Sequence, residues 1–335
     1  MPTHNEVTTG DSGAPTHDPR TELHLVVSGK QLVATDVIAI ELRTADGSQL
    51  PSWEPGAHIE LKLPTALGEL RRQYSLCGDL HDRTTWRIAV LREQAGRGGS
   101  AHVHDALALG QTVSITGPRN NFRIEPSKDY MLVAGGIGLT PVLAMAHAIA
   151  ERGEPWHLVC CARTEDRVVF ADELAALPST NVTVHIDERD GLLDIDALMA
   201  GRDSDTSVFV CGPPGLLRAF DVRSEQAPWK FFSEQFVADQ PVDASGETPF
   251  DVVISSTDET YTVPADRSAL AVLNEAGFDI VFSCQEGTCG TCETGVLDGV
   301  PDHRDVVLSK AEKAENDCMM LCVSRAKTDR IVLDL

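Results

Sequence analysis

Basic residues are in short supply: 28 Lys plus Arg stand against 51 Asp plus Glu in 335 residues, a formal net charge of −23. So acidic a surface repels phosphate backbones and anionic lipid headgroups, which excludes nucleic acid and membrane as partners and makes a basic protein patch the better complement. Long apolar runs are missing as well. No stretch approaches the 18 consecutive apolar residues of a membrane helix, and residues 1–20, rich in Thr, Pro, Gly, Asp and His, have neither the basic end nor the apolar run of a secretory signal. This tail reads as disordered and the chain as cytoplasmic. Nor is there a disulfide framework, because nine cysteines without an export signal are an odd set in a reducing compartment. What is present, 42% hydrophobic residues over this length, suffices for two or three domains with their own cores.

Three of the nine cysteines fall in one short stretch, Ser283-Cys-Gln-Glu-Gly-Thr-Cys-Gly-Thr-Cys-Glu-Thr-Gly295. The spacing Cys284-x4-Cys289-x2-Cys292 is that of a loop wrapped around a 2Fe-2S cluster, which needs a fourth thiolate from further along the chain. Cys322 supplies it after 29 intervening residues. A zinc ribbon would require a second C-x2-C pair, and the chain has none. Gly287, Gly290 and Gly295 are expected to let backbone amides approach the sulfides. The remaining cysteines read as ordinary thiols; Cys160 and Cys161, in Leu-Val-Cys-Cys-Ala, act as small hydrophobes of an internal strand. Met319 and Met320 read as core packing rather than redox ligands.

Upstream, Tyr130-Met-Leu-Val-Ala-Gly-Gly-Ile-Gly-Leu-Thr-Pro-Val-Leu-Ala-Met is an apolar strand, a glycine turn and a helix. Thr140 is expected to cap that helix, Pro141 to occupy its first turn, and Leu143, Ala146 and Ile149 to form its buried face. Such a helix start aims amides at a pyrophosphate. The G-x-G-x-x-G fingerprint fails here, since Pro141 stands where a third glycine would be. A second strand, Ser207-Val-Phe-Val, runs into the turn Cys211-Gly-Pro-Pro214, and Leu70-Arg-Arg-Gln-Tyr-Ser-Leu76 lies well before both. His102 and His104 lack a Cys or carboxylate at ligand spacing and read as solvated or hydrogen-bonded side chains.

Residues 249–335 resemble a plant-type ferredoxin, which implies a β-grasp fold with a hairpin from Phe250, a helix from Ser268 and a last strand from Arg330. In the ending Cys318-Met-Met-Leu-Cys322 the resemblance makes the second cysteine the ligand and Cys318 a structural thiol. This segment holds 16 acidic against 7 basic residues, a field that steers a basic redox partner. Arg72-Gln-Tyr-Ser75, Gly135-Gly-Ile-Gly138 and Cys211-Gly-Pro-Pro214 together resemble the ferredoxin-NADP reductase superfamily. With the ferredoxin at the C-terminal end, the chain from about 21 is similar to the phthalate dioxygenase reductase family.

The resemblance implies a multi-domain fold: a disordered tail over 1–20, a flavin-binding β-barrel over 21–125, an α/β parallel-sheet nucleotide domain over 126–236, a linker over 237–248 and the ferredoxin over 249–335. It implies FMN, held by Arg72 at the phosphate, Gln73, Tyr74 beside the ring, Ser75 near its reactive nitrogen, Ala89 and Val90 on a strand, and Gly98, Gly99 and Ser100 at a turn before a helix over 101–109. Arg71 is expected to be solvated. Gly135, Gly136, Ile137, Gly138, Thr140, Pro141, Cys211, Gly212, Pro213 and Pro214 are expected to hold the nicotinamide nucleotide. Glu165 and Asp166, in the loop after Ala162, favour NADH over NADPH by repelling a 2′-phosphate, with Arg163 and Arg167 on the other side of the balance. Glu234 and Phe236 are expected beside Ser75 as catalytic residues at the flavin. The implied function is a reductase component that passes electrons from NADH through flavin and cluster to a Rieske-type oxygenase. A cytochrome P450 acceptor is the alternative, and a non-catalytic flavin and iron-sulfur redox sensor is the reading from another class.

Overall fold

A computed structural model describes residues 17–65, 68–94, 98–236 and 248–335. The tail to residue 16 and linker residues 237–247 therefore lie outside the described residues. The end of the expected tail is tied down, with His17 Nε2 bonded to the Gly117 carbonyl at 2.9 Å and the Gly117 amide donating to Pro19.

The first unit contains β1 (Leu23–Ala34), β2 (Val37–Thr44), β3 (Ala57–Thr65), β4 (Gly68–Ser75), β5 (Trp86–Leu91), α1 (Gly99–Asp105) and β6 (Thr112–Asn120). Its six strands run β4-β3-β6-β1-β2-β5, and the bridge between Leu76 and Ile88 joins the two edges, closing the sheet into a barrel. Alternation along the strands fills the interior with Leu25, Ile40, Leu42, Ile59, Leu61, Trp86, Ile88 and Ile115. Helix α1 starts two residues before and ends four residues before the expected span. Gly98, at φ 83°, turns the chain into it, and Lys30 Nζ donates to the carbonyls of Val103, His104 and Leu107, closing its C-terminal end.

The second unit contains β7 (Asp129–Gly135), α2 (Leu139–Glu151), β8 (Trp156–Ala162), α3 (Ala171–Ala176), β9 (Val182–Ile186), α4 (Asp187–Asp190), α5 (Ile195–Met199), β10 (Thr206–Cys211), α6 (Pro214–Ser224) and β11 (Lys230–Glu234). The all-parallel order β11-β10-β7-β8-β9 puts β7 at the centre, and the chain leaves it first to one side and then to the other. A ligand crevice is expected where the order reverses, outside the carboxyl ends of β7 and β10. Leu143, Ala146 and Ile149 of α2 are buried as the spacing predicts, but so are Val142, Ala144 and Met145, because part of the helix packs against the barrel as well as the sheet. Cys160 and Cys161 sit in β8 between β7 and β9.

The third unit contains β12 (Phe250–Ile254), β13 (Thr260–Val263), α7 (Ala269–Glu275), β14 (Glu293–Asp298), β15 (Pro301–Asp302), α8 (Lys310–Glu315), β16 (Cys318–Met320), β17 (Arg325–Ala326) and β18 (Arg330–Leu333). A mixed sheet, β13-β12-β18-β14-β16, shares its core with α7, whose N-cap Ser268 accepts from the Ala271 amide. Met319 and Met320 lie wholly inside that core. Among the described residues no helix is long and apolar enough to cross a membrane.

Candidate redox site where three domains meet

The cysteine loop is arranged around sulfur. The neighbouring thiols of Cys289 and Cys322, with the amides of Thr288 and Glu286, hold the Cys284 thiol below its ordinary value. Cys292 is lowered chiefly by the neighbouring Cys322 thiol, and the Thr291 amide donates to Cys289. The four thiols expected as ligands thus converge: Cys284 and Cys292 are shifted toward thiolate, Cys289 and Cys322 are pushed up by the same contacts and by burial, and loop amides point at Cys284 and Cys289, a sulfur-rich loop that suits an iron-sulfur cluster. Cys318 stands apart, paired with Gly295 across β16 and β14, its thiol pushed up to about 11 by burial and by Glu293. Gly287 and Gly290 have φ of 71° and 73°, and a side chain on Gly287 would strike Val323 and Asp305. Gly295 has another purpose than the one expected. It lies in β14, where a Cβ would stand 3.1 Å from Asp334, so it serves strand packing and not the sulfides.

In the nucleotide unit, Gly135–Gly138 and Cys211–Pro214 pack face to face at the crevice. A Cβ on Gly138 would lie 2.2 Å from the Cys211 carbonyl oxygen, and one on Gly135 would lie 2.5 Å from Pro213 Cδ. Only glycine permits this approach. The cavity over these turns has a volume of about 640 Å³ and includes Gly136, Ile137, Gly212, Pro214 and Phe236, a size suited to a nucleotide. Thr140 does not cap α2. It is the second helical residue, donates to the Ile137 carbonyl at 2.9 Å and is buried beside Pro141, because the tight turn of Gly136–Gly138 already leads the backbone into the helix. Arg163, Arg167 and Asp187 line the same cavity. The expected carboxylates are engaged elsewhere, Asp166 with Thr35 and Glu165 with Arg189. Both cations are paired too, Arg163 with Glu188 and Arg167 with Asp36.

On the barrel, β4 presents Arg72, Gln73, Tyr74 and Ser75 to a pocket that also receives Glu234 and Phe236 from the nucleotide unit and Cys284 from the ferredoxin unit. Burial pushes the Tyr74 hydroxyl up, and Ser75 is 5% exposed. Arg72 lies against the start of α1, where a Cβ on Gly99 would be 2.4 Å from its Nε, and Ser100 Oγ accepts from the Glu93 amide. Ala89 and Val90 are buried within β5, the Val90 carbonyl accepting from His104 Nε2 at 2.9 Å, so that histidine is a hydrogen-bonded one. Glu234 Oε2 is shut off from solvent without a partner, and burial raises its carboxyl to about 8. Its strand neighbour Cys211 is likewise held neutral by burial.

Sequence reasoning missed what brings the cluster loop here. Gln73 Nε2 donates to Ser283 Oγ at 3.3 Å, Asn121 Nδ2 to the Cys289 carbonyl at 3.2 Å and Arg119 Nη1 to Thr291 Oγ1 at 2.7 Å. Arg71 is not a solvated charge: it donates to the Phe282 carbonyl at 3.3 Å and pairs with Glu60 and Glu69. A polar strand face opposite a second domain looks like a solvent face in sequence, so no local signal marked these residues.

Comparisons with known proteins follow the same three units. The oxidoreductase FAD-binding domain family matches residues 24–124, the oxidoreductase NAD-binding domain family 132–221 and the 2Fe-2S iron-sulfur cluster binding domain family 252–327. The solved structure of phthalate dioxygenase reductase is 35% identical, with a TM-score of 0.68, over 95% of this chain and 100% of that one. This chain belongs to the phthalate dioxygenase reductase family. Vanillate O-demethylase oxidoreductase of Pseudomonas sp. (strain HR199 / DSM 7063) is 41% identical over 93% of this chain and 100% of that protein. An intact type IV self-sufficient cytochrome P450 monooxygenase is 39% identical with a TM-score of 0.84 over 94% of this chain, which spans 41% of that longer chain. As a member of the phthalate dioxygenase reductase family, the chain is an NAD(P)H-dependent flavin iron-sulfur oxidoreductase, and one of its pockets is lined by residues of all three units.

Proposed function

We propose that this chain is the reductase component of an oxygenase system, with NADH as donor and a Rieske-type oxygenase as acceptor. The observation that carries the reading is the single pocket shared by Ser75, Glu234 and Cys284, one residue from each domain. When bound, the nicotinamide gives a hydride, the flavin accepts it, and the cluster takes electrons one at a time. The protein's own work is positional. Cys284, Cys289, Cys292 and Cys322 would hold the cluster. Gly135–Gly138, Thr140, Pro141 and Cys211–Pro214 form the floor on which the nucleotide lies, and Phe236 stands between nucleotide cavity and flavin pocket.

The flavin would be FMN: Arg72 and the Gly98–Ser100 turn would take its terminal phosphate, and Gln73, Tyr74 and Ser75, with Ala89 and Val90 of β5, would take its ring. Extraction and mass identification distinguish FMN from FAD. Gly99→Ala, whose methyl would displace Arg72, should loosen FMN by about tenfold with little change in thermal midpoint, the expected cost of one charge-assisted contact. FMN retention through gel filtration reads this out.

NADH is favoured by Asp187, since a carboxylate in the cavity repels a 2′-phosphate while Arg163 and Arg167 are already paired. The kcat/KM ratio of NADH to NADPH should exceed about tenfold and fall in Asp187→Asn; an unchanged ratio in the variant rejects that assignment.

Anaerobic addition of NADH tests the whole reading. Flavin and cluster bands should bleach in turn, whereas a redox sensor without a donor site would not bleach. The fold similarity to a P450 monooxygenase favours a P450 acceptor as second reading. Turnover assays with purified Rieske and P450 oxygenases decide between them, and failure to support either sinks both.

A further inference from the structure

In β3 the alternating Ile59, Leu61 and Leu63 face the barrel core, so His58, Glu60 and Lys62 point outward. An outward carboxylate is ordinarily solvated, yet Glu60 is 2% exposed. A buried carboxylate is tolerated only with opposite charge and hydrogen bonds around it. Two arginines supply the charge. Arg71 Nη1 lies 3.7 Å from Oε1 and Arg119 Nη2 lies 3.8 Å from Oε2, while Thr116 Oγ1 approaches Oε1 at 3.5 Å.

Both guanidinium groups also reach beyond the barrel. Arg71 donates to the Phe282 carbonyl and lies 6.0 Å from the centre of the Phe282 ring, and Arg119 donates to Thr291 Oγ1. Phe282 precedes Cys284 by two positions, and Thr291 lies between Cys289 and Cys292, so the two arginines grip the cysteine loop at both ends. A forked guanidinium can serve two partners at once, which a lysine ammonium does less well. Without a common anion, two cations on one patch would repel each other and regain rotamer freedom. Lys310 also reaches the nucleotide unit, at Asp221 and Glu225, but these are exposed pairs of the kind that add little.

We propose that Glu60 is a positioning residue for electron delivery: beneath the docked ferredoxin domain it fixes Arg71 and Arg119 as a two-pronged clamp that holds the cysteine loop over the flavin pocket. The proposal rests on the reading above, in which that loop carries the cluster and that pocket the flavin.

The test uses the full-length holoprotein and Glu60→Gln, which keeps the shape and removes the charge. Amide hydrogen exchange over residues 282–291 should accelerate relative to the parent. On anaerobic mixing with NADH, flavin reduction should keep its parent rate while cluster reduction slows by about ten- to a hundredfold, the scale expected of a misplaced but intact centre. Arg119→Gln, which leaves the buried face of β3 intact, should shift both readouts in the same direction. The double variant should be no slower than the slower single one, since both changes break one link. Parent-like exchange and cluster reduction in both variants would overturn the clamp. So would exchange accelerated throughout β3 and β6 in Glu60→Gln with Arg119→Gln unchanged, which would make Glu60 a barrel residue only. If NADH fails to reduce the parent flavin, the functional reading falls, and the exchange comparison still judges the clamp.

Discussion

Cys322→Ala should leave the protein able to accept hydride from NADH but unable to pass electrons to a one-electron protein acceptor, whereas Cys318→Ala should do both as the parent does. The two cysteines are four residues apart in one short segment. The structure separates them by direction. Cys322 reaches the thiols of Cys284 and Cys292, while Cys318 faces Glu293 and Asp317 from the start of β16. A cluster with three protein thiolates is exposed to loss of iron, and the loop amides that donate to Cys284 and Cys289 would then surround bare thiols. Iron and acid-labile sulfide per chain are the measurement. They should fall to near zero in Cys322→Ala and stay at about two each in Cys318→Ala; the reverse pattern would move the fourth ligand to Cys318.

The contrast between these cysteines also shows what is legible in a sequence of this kind. A ligand loop and a glycine turn are local: three thiols within nine residues, or glycines between an apolar strand and a helix, specify their backbone whatever surrounds them. Those features were readable, as were the parallel strands around β7 and the core methionines. Where reading went astray, a non-local partner mostly decided. Gly295 answers to Asp334 from the far strand and α1 is closed by Lys30 from β1, while Thr140 was displaced from the cap by a local cause, the tight turn just before it. The face of β3 carrying His58 and Glu60 reads as solvated because its alternation is that of a half-exposed strand. Arg71 and Arg119 cover that face and reach on to Phe282 and Thr291 of the ferredoxin unit, more than 160 positions away from each, a relation that no periodicity records.

Glu234→Gln should change the pH dependence of both stability and flavin reduction. Although the residue as a whole is half-buried, its Oε2 is closed to solvent and unpartnered, and burial raises the carboxyl from its ordinary 4.5 to about 8. For an acid raised in this way the folded chain keeps a proton that the unfolded chain releases. Below about pH 4.5 both states hold it, and Glu234 has no effect on the balance. Between there and pH 8 each step upward favours the unfolded state, and above pH 8 the penalty is complete, at roughly 2–5 kcal/mol. The glutamine cannot ionise, so thermal midpoints of parent and variant should nearly coincide at pH 5 and diverge in the variant's favour toward pH 8. Function follows the same proton. At neutral pH a protonated Glu234, beside the equally neutral Cys211, can donate a hydrogen bond into the pocket it shares with Ser75, and its carboxylate could only accept one. NADH-driven flavin reduction in the parent should therefore decline as pH passes about 8, while the variant, which keeps an N–H donor at that position, should show a flatter profile. Parallel profiles in rate and in midpoint would show that Glu234 is ionised throughout and would remove it from the site.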